Sequence, residues 1–357
     1  MTGSVISLVR RRCSATFGVV LVVLLALSLS CEDLHPVNPA VRVREGNTHV
    51  AASTSIPTVV ATTSILADVV SNIACDGQAH VESLVPVNAD PHAYQASLAD
   101  RAVMESAVLV VANGLLESGL DKTIRSVEET GIEVFRVLDH VDTLPVTGND
   151  GHIGEPSHSQ EGDYEDGIAD PHVWLDPVRV SAMLPKLMQR LVDTARLDSR
   201  ILRECLYRTQ GVLDRVDAEI MAMVAEVPQT RRVLVANHDS LDYFADRYGF
   251  EVIGSVIPGI STLAAPSPAH LEELGARMKA IGSSVIFVQA GHYSGDAEAL
   301  AKHLGDVRVV ELLPEGFLNV DQRFASYVEL LRSNARLITD ALIGGQHPSQ
   351  HAGHGLR

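Results

Sequence analysis

Thr58-Val59-Val60-Ala61-Thr62-Thr63-Ser64 runs directly into Ile65-Leu66-Ala67-Asp68-Val69-Val70-Ser71-Asn72-Ile73. The first half is a β-branched, apolar run and reads as a buried strand. The second half sets Ile65, Val69, Val70 and Ile73 on one face of a helix, with Ser64 expected as its N-cap. A strand that turns straight into an amphipathic helix is one βα unit, and the chain repeats it. Further strands are expected at 81–86, 108–113 and 133–138, with helices through 98–104 and 120–130. From residue 228 the alternation resumes. Strands are expected at 232–236, 251–257, 284–289 and 308–312, and helices at 241–248, 296–304, 324–342 and up to residue 281 behind a Ser267 cap. The near-continuous apolar strands suit parallel sheets buried on both faces.

Between these halves, 180–194 and 198–227 read as helices. About thirty residues rising 1.5 Å each give the second a length of about 45 Å, enough to join two bodies stiffly. The expected fold class is therefore α/β. It has two lobes (57–197 and 228–343), each a mostly parallel sheet flanked by helices, joined by a single long rigid helix over 198–227.

The 357 residues suffice for two cores of ordinary size. Aromatic residues make up only 4%, so Ala, Val and Leu must fill most of the interior. A net charge of -17 excludes the basic face that a nucleic-acid partner needs. Arg10-Arg11-Arg12 precede an apolar run from Phe17 to Leu29 that ends at Ser30-Cys31. A basic start, a short apolar stretch and a small residue before the cut describe an export signal over 1–31. The run is too short to be a comfortable membrane span. Residues 32–56 are polar, contain Pro and read as a flexible tether. Cys75 and Cys205 remain in the exported body, where either a disulfide or two buried thiols fit the sequence. The tail at 344–357 is expected to be disordered.

Three histidines occupy comparable places. His92 follows the 81–86 strand, in Asp90-Pro91-His92. His172 lies in Asp170-Pro171-His172-Val173-Trp174-Leu175-Asp176-Pro177, between two Asp-Pro corners. His238 comes two residues after the strand ending at Ala236. Parallel α/β sheets take ligands at the carboxyl ends of their strands, and neutral imidazole is the commonest metal ligand. Together they point to zinc or a related divalent metal. Asp239 and Asp176 are candidates for orienting His238 and His172 through their second ring nitrogens. Trp174 is expected to pack beside the site. Between 148 and 168 the chain turns to Gly, Asp, Glu, Ser and His, a long loop with no core-forming pattern. Its His152 and His158 read either as weak metal-capturing groups or as solvated chain, and His347, His351 and His354 in the tail read first as solvated chain.

Several stretches together resemble the zinc- and manganese-binding solute-binding proteins of bacterial ABC importers, the cluster A-I family. They are Asp90-Pro-His-Ala-Tyr94, Asp170-Pro-His-Val-Trp-Leu-Asp-Pro177, Asn237-His-Asp-Ser-Leu-Asp-Tyr-Phe-Ala-Asp-Arg-Tyr-Gly249, Ile260-Ser-Thr-Leu-Ala-Ala-Pro-Ser267 and Leu331-Arg-Ser-Asn334. The likeness spans 58–342. It implies two α/β lobes joined by a long helix, with the metal held between them by ligands from four stretches. Three of these match His92, His172 and His238. The fourth, a carboxylate after a late strand, falls on Glu315, although Pro314 and Gly316 replace the family's usual hydroxyl residues; Glu311 or a water is the alternative. Histidine at the third position favours Zn2+ over Mn2+. The resemblance further implies an ABC transporter permease as partner and a monomer. Cys31 resembles a lipobox cysteine, which would anchor the chain to the outer side of the membrane by lipid; otherwise it would be periplasmic.

Two other functions compete with metal delivery. A zinc-dependent hydrolase would use three histidines and a bound water, but the sequence has no His-Glu-x-x-His helix and no Gly-x-Ser-x-Gly elbow. A metal-dependent surface adhesin would need an exposed partner patch.

Overall fold

The structure, a computed structural model, describes residues 56–75, 77–87, 89–146, 168–313, 315 and 326–344. The export signal with Cys31, almost all of the tether and of the acidic loop with His152 and His158, and the tail histidines lie outside these residues.

The first lobe runs β1 (Thr58–Ala61), α1 (Ser64–Ile73), β2 (His80–Ser83), α2 (Leu98–Ser106), β3 (Leu109–Ala112), α3 (Asp121–Glu129) and β4 (Glu133–Arg136). Its strands lie in the order β2-β1-β3-β4 and every pairing is parallel. Two long helices follow, α4 (Pro177–Ala195) and α5 (Ser199–Ala225). The second lobe runs β5 (Val233–Ala236), α6 (Asp242–Tyr248), β6 (Glu251–Ser255), α7 (Pro268–Ile281), β7 (Val285–Gln289), α8 (Gly295–Leu304), β8 (Arg308–Leu312) and α9 (Tyr327–Ile343). Its sheet, β6-β5-β7-β8, is again parallel and repeats the topology of the first. In each sheet the strand order reverses beside the first strand, which opens a ligand crevice at the strands' carboxyl ends.

The expected α/β alternation and two-lobed fold are present, with local differences at element ends. The N-cap of α1 is Thr63, one residue earlier than expected: its side chain accepts from the Leu66 amide. Ser267 does cap α7, accepting from the His270 amide. The 27 residues of α5 span about 40 Å. It packs against α4, α1 and α9, so the long helix lies among neighbours from both halves of the chain. Cys205 on α5 is joined to Cys75 at the end of α1 by a disulfide, with 5.8 Å between Cα atoms.

Strand side chains alternate between faces, and the alternation divides the interior. Val59, Ala61, Leu109 and Val111 of the first sheet share one core with Leu234, Ala236, Val285 and Phe287 of the second, through α1, α4, α5 and α9. The opposite faces have separate cores. Val60 and Val110 pack with α2 and α3, and Val235 and Ile286 with α7 and α8. Each fully buried aliphatic side chain stabilises the fold by about 1.5–3 kcal/mol. A continuous inner core therefore resists wide separation of the lobes, since that would return part of it to water.

Candidate metal site

The two Asp-Pro-His motifs fold alike. Asp90 Oδ1 accepts the His92 amide at 2.8 Å, and Asp170 Oδ1 accepts the His172 amide at 2.9 Å. In each, the carboxylate takes the place of a backbone carbonyl two residues on, and the intervening proline fixes the corner. Both turns present an imidazole to the same point. Asn113, at the end of β3, braces the second turn by donating its side-chain amide to the Pro171 carbonyl at 3.0 Å.

His238 arrives from the other lobe, just beyond β5. Its backbone is fixed by the two residues that follow it. The Asp239 amide donates to the Gly259 carbonyl, and Ser240 donates to the His238 carbonyl while accepting from Gln289 at the end of β7. Glu315 follows β8. Glu311, the alternative carboxylate, is exposed on that strand, whereas Glu315 is buried.

The four side chains converge on one centre. The Nε2 atoms of His172 and His92 are 3.4 Å apart, and those of His238 and His172 are 3.2 Å apart. Glu315 Oε2 lies 3.3 Å from His92 Nε2, and Oε1 lies 3.4 Å from both His172 and His238 Nε2. All four residues are buried. Apart from the three imidazoles that face it at 3.3–3.4 Å, neither oxygen of Glu315 has a hydrogen-bond partner among the described residues. Buried carboxylate oxygens without partners are costly unless something else satisfies them. A tetrahedral ion with bonds of about 2.0–2.1 Å has donor–donor edges of about 3.3 Å. With Oε1 as the carboxylate donor, four donor–donor distances of 3.2–3.4 Å match that span, so the donor set fits such an ion.

Charge is distributed unequally over the site. Burial alone would depress the His172 imidazolium, but Asp170, by charge and hydrogen bond, and Glu315 lift it to about 10. Burial dominates at His238, whose pKa falls to about 4 against the partial opposition of Glu315. Burial would raise the Glu315 carboxyl, yet the three imidazoles around it hold it well below the ordinary carboxylate range. Without metal, the site holds a carboxylate, a protonated His172 and a neutral His238.

Two orienting residues differ from the sequence expectation. Asp170, not Asp176, holds His172, with 2.7 Å between Oδ1 and Nδ1. Asp176 comes after a short 3-10 turn over Val173–Leu175 and caps α4 instead, accepting from the Val178 and Arg179 amides and pairing with the Arg179 guanidinium. The Asp239 carboxylate accepts from the Gly259 amide at 3.0 Å, and His238 Nδ1 has no hydrogen-bond partner among the described residues. Trp174 packs edge-on to His172, with 5.2 Å between ring centroids, as expected of a packing residue.

The sequence reading missed the residues that bridge the lobes. Thr262 donates its hydroxyl to Asp90 Oδ2 at 2.6 Å. Tyr243 accepts from the Leu144 amide and donates to the Asp170 carbonyl. Both lie in stretches that carry the family likeness, but their partners lie far away in sequence.

Two parallel α/β lobes with a buried donor set of three histidines and a carboxylate, drawn from both, define a solute-binding protein for a divalent transition metal. The model of the family described as ZnuA, the periplasmic component A of a zinc-uptake complex, matches residues 59–341, and the chain belongs to that family. The zinc-binding protein TroA of Treponema pallidum is 29% identical over 298 residues, covering 82% of this chain and 91% of that protein. A solved structure of that periplasmic zinc-binding protein superposes with a TM-score of 0.69 at 28% identity, covering 81% of this chain and 99% of the other. The iron ABC transporter substrate-binding lipoprotein MtsA of Streptococcus pyogenes serotype M1 is 24% identical, over 80% of this chain and 88% of its own.

Proposed function

We propose that this protein captures zinc outside the cytoplasm with His92, His172, His238 and Glu315 and delivers it to an ABC permease. The observation that carries the reading is the spacing of the donor atoms, 3.2–3.4 Å over four pairs with Oε1 as the carboxylate donor, and both Glu315 oxygens otherwise without hydrogen-bond partners. Three imidazoles and one carboxylate favour zinc over manganese, which prefers oxygen-rich sites. Relatives carry both zinc and iron in their names, so the family alone leaves the metal open. With four protein donors the tetrahedron is closed, as in a storage or transport site, whereas a hydrolytic zinc keeps one position for water. We further propose that Cys31 carries a lipid anchor, in keeping with the lipoprotein among the relatives, and that the chain works as a monomer.

Metal-stripped protein should take up one zinc tightly in a competition titration against a chromophoric chelator. Manganese should bind at least about a hundredfold more weakly. Loss of the His172 imidazole in His172→Ala should abolish the tight phase. A variant that binds zinc as well as the parent would overturn the ligand assignment.

A further inference from the structure

His292 is not needed by the four-donor site, yet it stands beside it. It lies three residues beyond β7, with its amide donating to the Gln289 carbonyl. Its side chain is only 4% exposed, and its Nδ1 is buried with no hydrogen-bond partner among the described residues. Its ring centroid is 6.0 Å from that of His238. Its Nε2 lies 3.9 Å from Asp90 Oδ1, across the lobes. That is too long for a hydrogen bond, but within the span of two donors on one cation. Asp90, His292 and Glu315 each offer a donor atom within 4.8 Å of the others.

We propose that Asp90, His292 and Glu315 form a second divalent-cation position that shares Glu315 with the buried site. This inference rests on the metal-binding reading above. The carboxylate is suited to sharing, because it has two oxygens and Oε1 alone faces both His172 and His238, and a carboxylate can bridge two ions about 3.5–4 Å apart. The new position is the more open of the two. Asp90 has a side chain 21% exposed, against 4% or less for the four donors of the buried site. With three protein donors instead of four, it binds more weakly. Asp90 gives it the more exposed edge, so an ion can exchange donors stepwise, with Glu315 held throughout. Its cargo is the same class of borderline cation, zinc or cadmium, because it combines imidazole with carboxylates.

The test is cadmium NMR on the full-length exported protein, in which each bound ion gives its own resonance. At one equivalent the parent should show the buried-site signal. In excess cadmium a further signal should appear that is absent from both His292→Ala and the size-preserving His292→Gln. Loop and tail histidines are present in every sample, so the difference isolates His292. Both variants should keep the first signal, which also shows that they are folded. Zinc transfer from the loaded protein to a chelator should slow about tenfold in His292→Ala. If the parent lacks even the first signal, the reading of the buried site fails. If the first signal is present and the variants match the parent in every later signal and in transfer rate, only the second position is overturned.

Discussion

His172 Nδ1 lies 2.7 Å from Asp170 Oδ1, and neither side chain is exposed at all. Because Asp170 also accepts the His172 amide, one carboxylate oxygen sets the turn and the ring orientation together. The proton is thereby kept on Nδ1, leaving Nε2 free to face the ion. Replacing Asp170 with Asn should preserve the turn but loosen control of the tautomer. We expect Asp170→Asn to weaken zinc by about 10–100-fold with little change in the circular dichroism of the apoprotein. Zinc affinity within threefold of the parent would show that the pair is structural only.

Zinc uptake should release about one proton near neutral pH, because His172, lifted to about 10, must lose its Nε2 proton to bind. His238, lowered to about 4, is already neutral and contributes none. The sign follows from His172. Its raised pKa means that protons compete with metal below about 10, so affinity should rise about tenfold per pH unit from 6 to 9. Calorimetry in buffers of different ionisation enthalpy counts the proton directly. A pH-independent affinity over that range would contradict this charge state.

Asp242, in the first turn of α6, is pushed up to about 6, chiefly by burial and then by the nearby charges of Asp170 and Asp239. A raised carboxyl favours the folded apoprotein below its ordinary pKa, and that advantage is lost as pH rises through about 6. At pH 8 the ion therefore costs the fold, and partial exposure limits the cost to about 1–2 kcal/mol. Asp242→Asn should stabilise the apoprotein by that amount at pH 8 and by nothing below pH 4. Urea melts at the two pH values make the comparison, and an equal gain at both would refute the origin in ionisation.

What the sequence revealed depended on pattern. The βα alternation was legible because β-branched runs and amphipathic helices carry their own period. His92 and His172 stood out because Asp-Pro-His is a stiff, self-bonded turn, and His238 because it ends a strand. Glu315 required the family likeness, since nothing local separates it from Glu311. The choice between Asp170 and Asp176 was not legible. Each is followed by a proline close to His172, and only the 3-10 turn over Val173–Leu175 decides which one faces the ring. Thr262, Tyr243 and Asn113 were invisible for a plainer reason. Each is a single hydrogen-bonding group whose partner is supplied by the tertiary fold.

The Thr262–Asp90 hydrogen bond ties the two lobes beside the metal centre. Thr262 belongs to the loop after β6, and that loop is itself tied to Asp239 by paired backbone and side-chain bonds to Gly259. Asp90 in turn holds the His92 amide. The bond therefore closes a chain from His238 in one lobe to His92 in the other. A hydrogen bond to a charged acceptor contributes about 1.5–3 kcal/mol. Part of that is regained from water when Asp90 is freed, because its side chain is partly exposed. Thr262→Val keeps the size and removes the donor, so it should speed zinc release about tenfold, equivalent to about 1.4 kcal/mol, while leaving association nearly unchanged. Stopped-flow transfer of zinc to a chelator measures the first rate and mixing with free zinc the second. A variant slowed in association but unchanged in release would mean that Thr262 guides the ion inward instead of holding the lobes together around it.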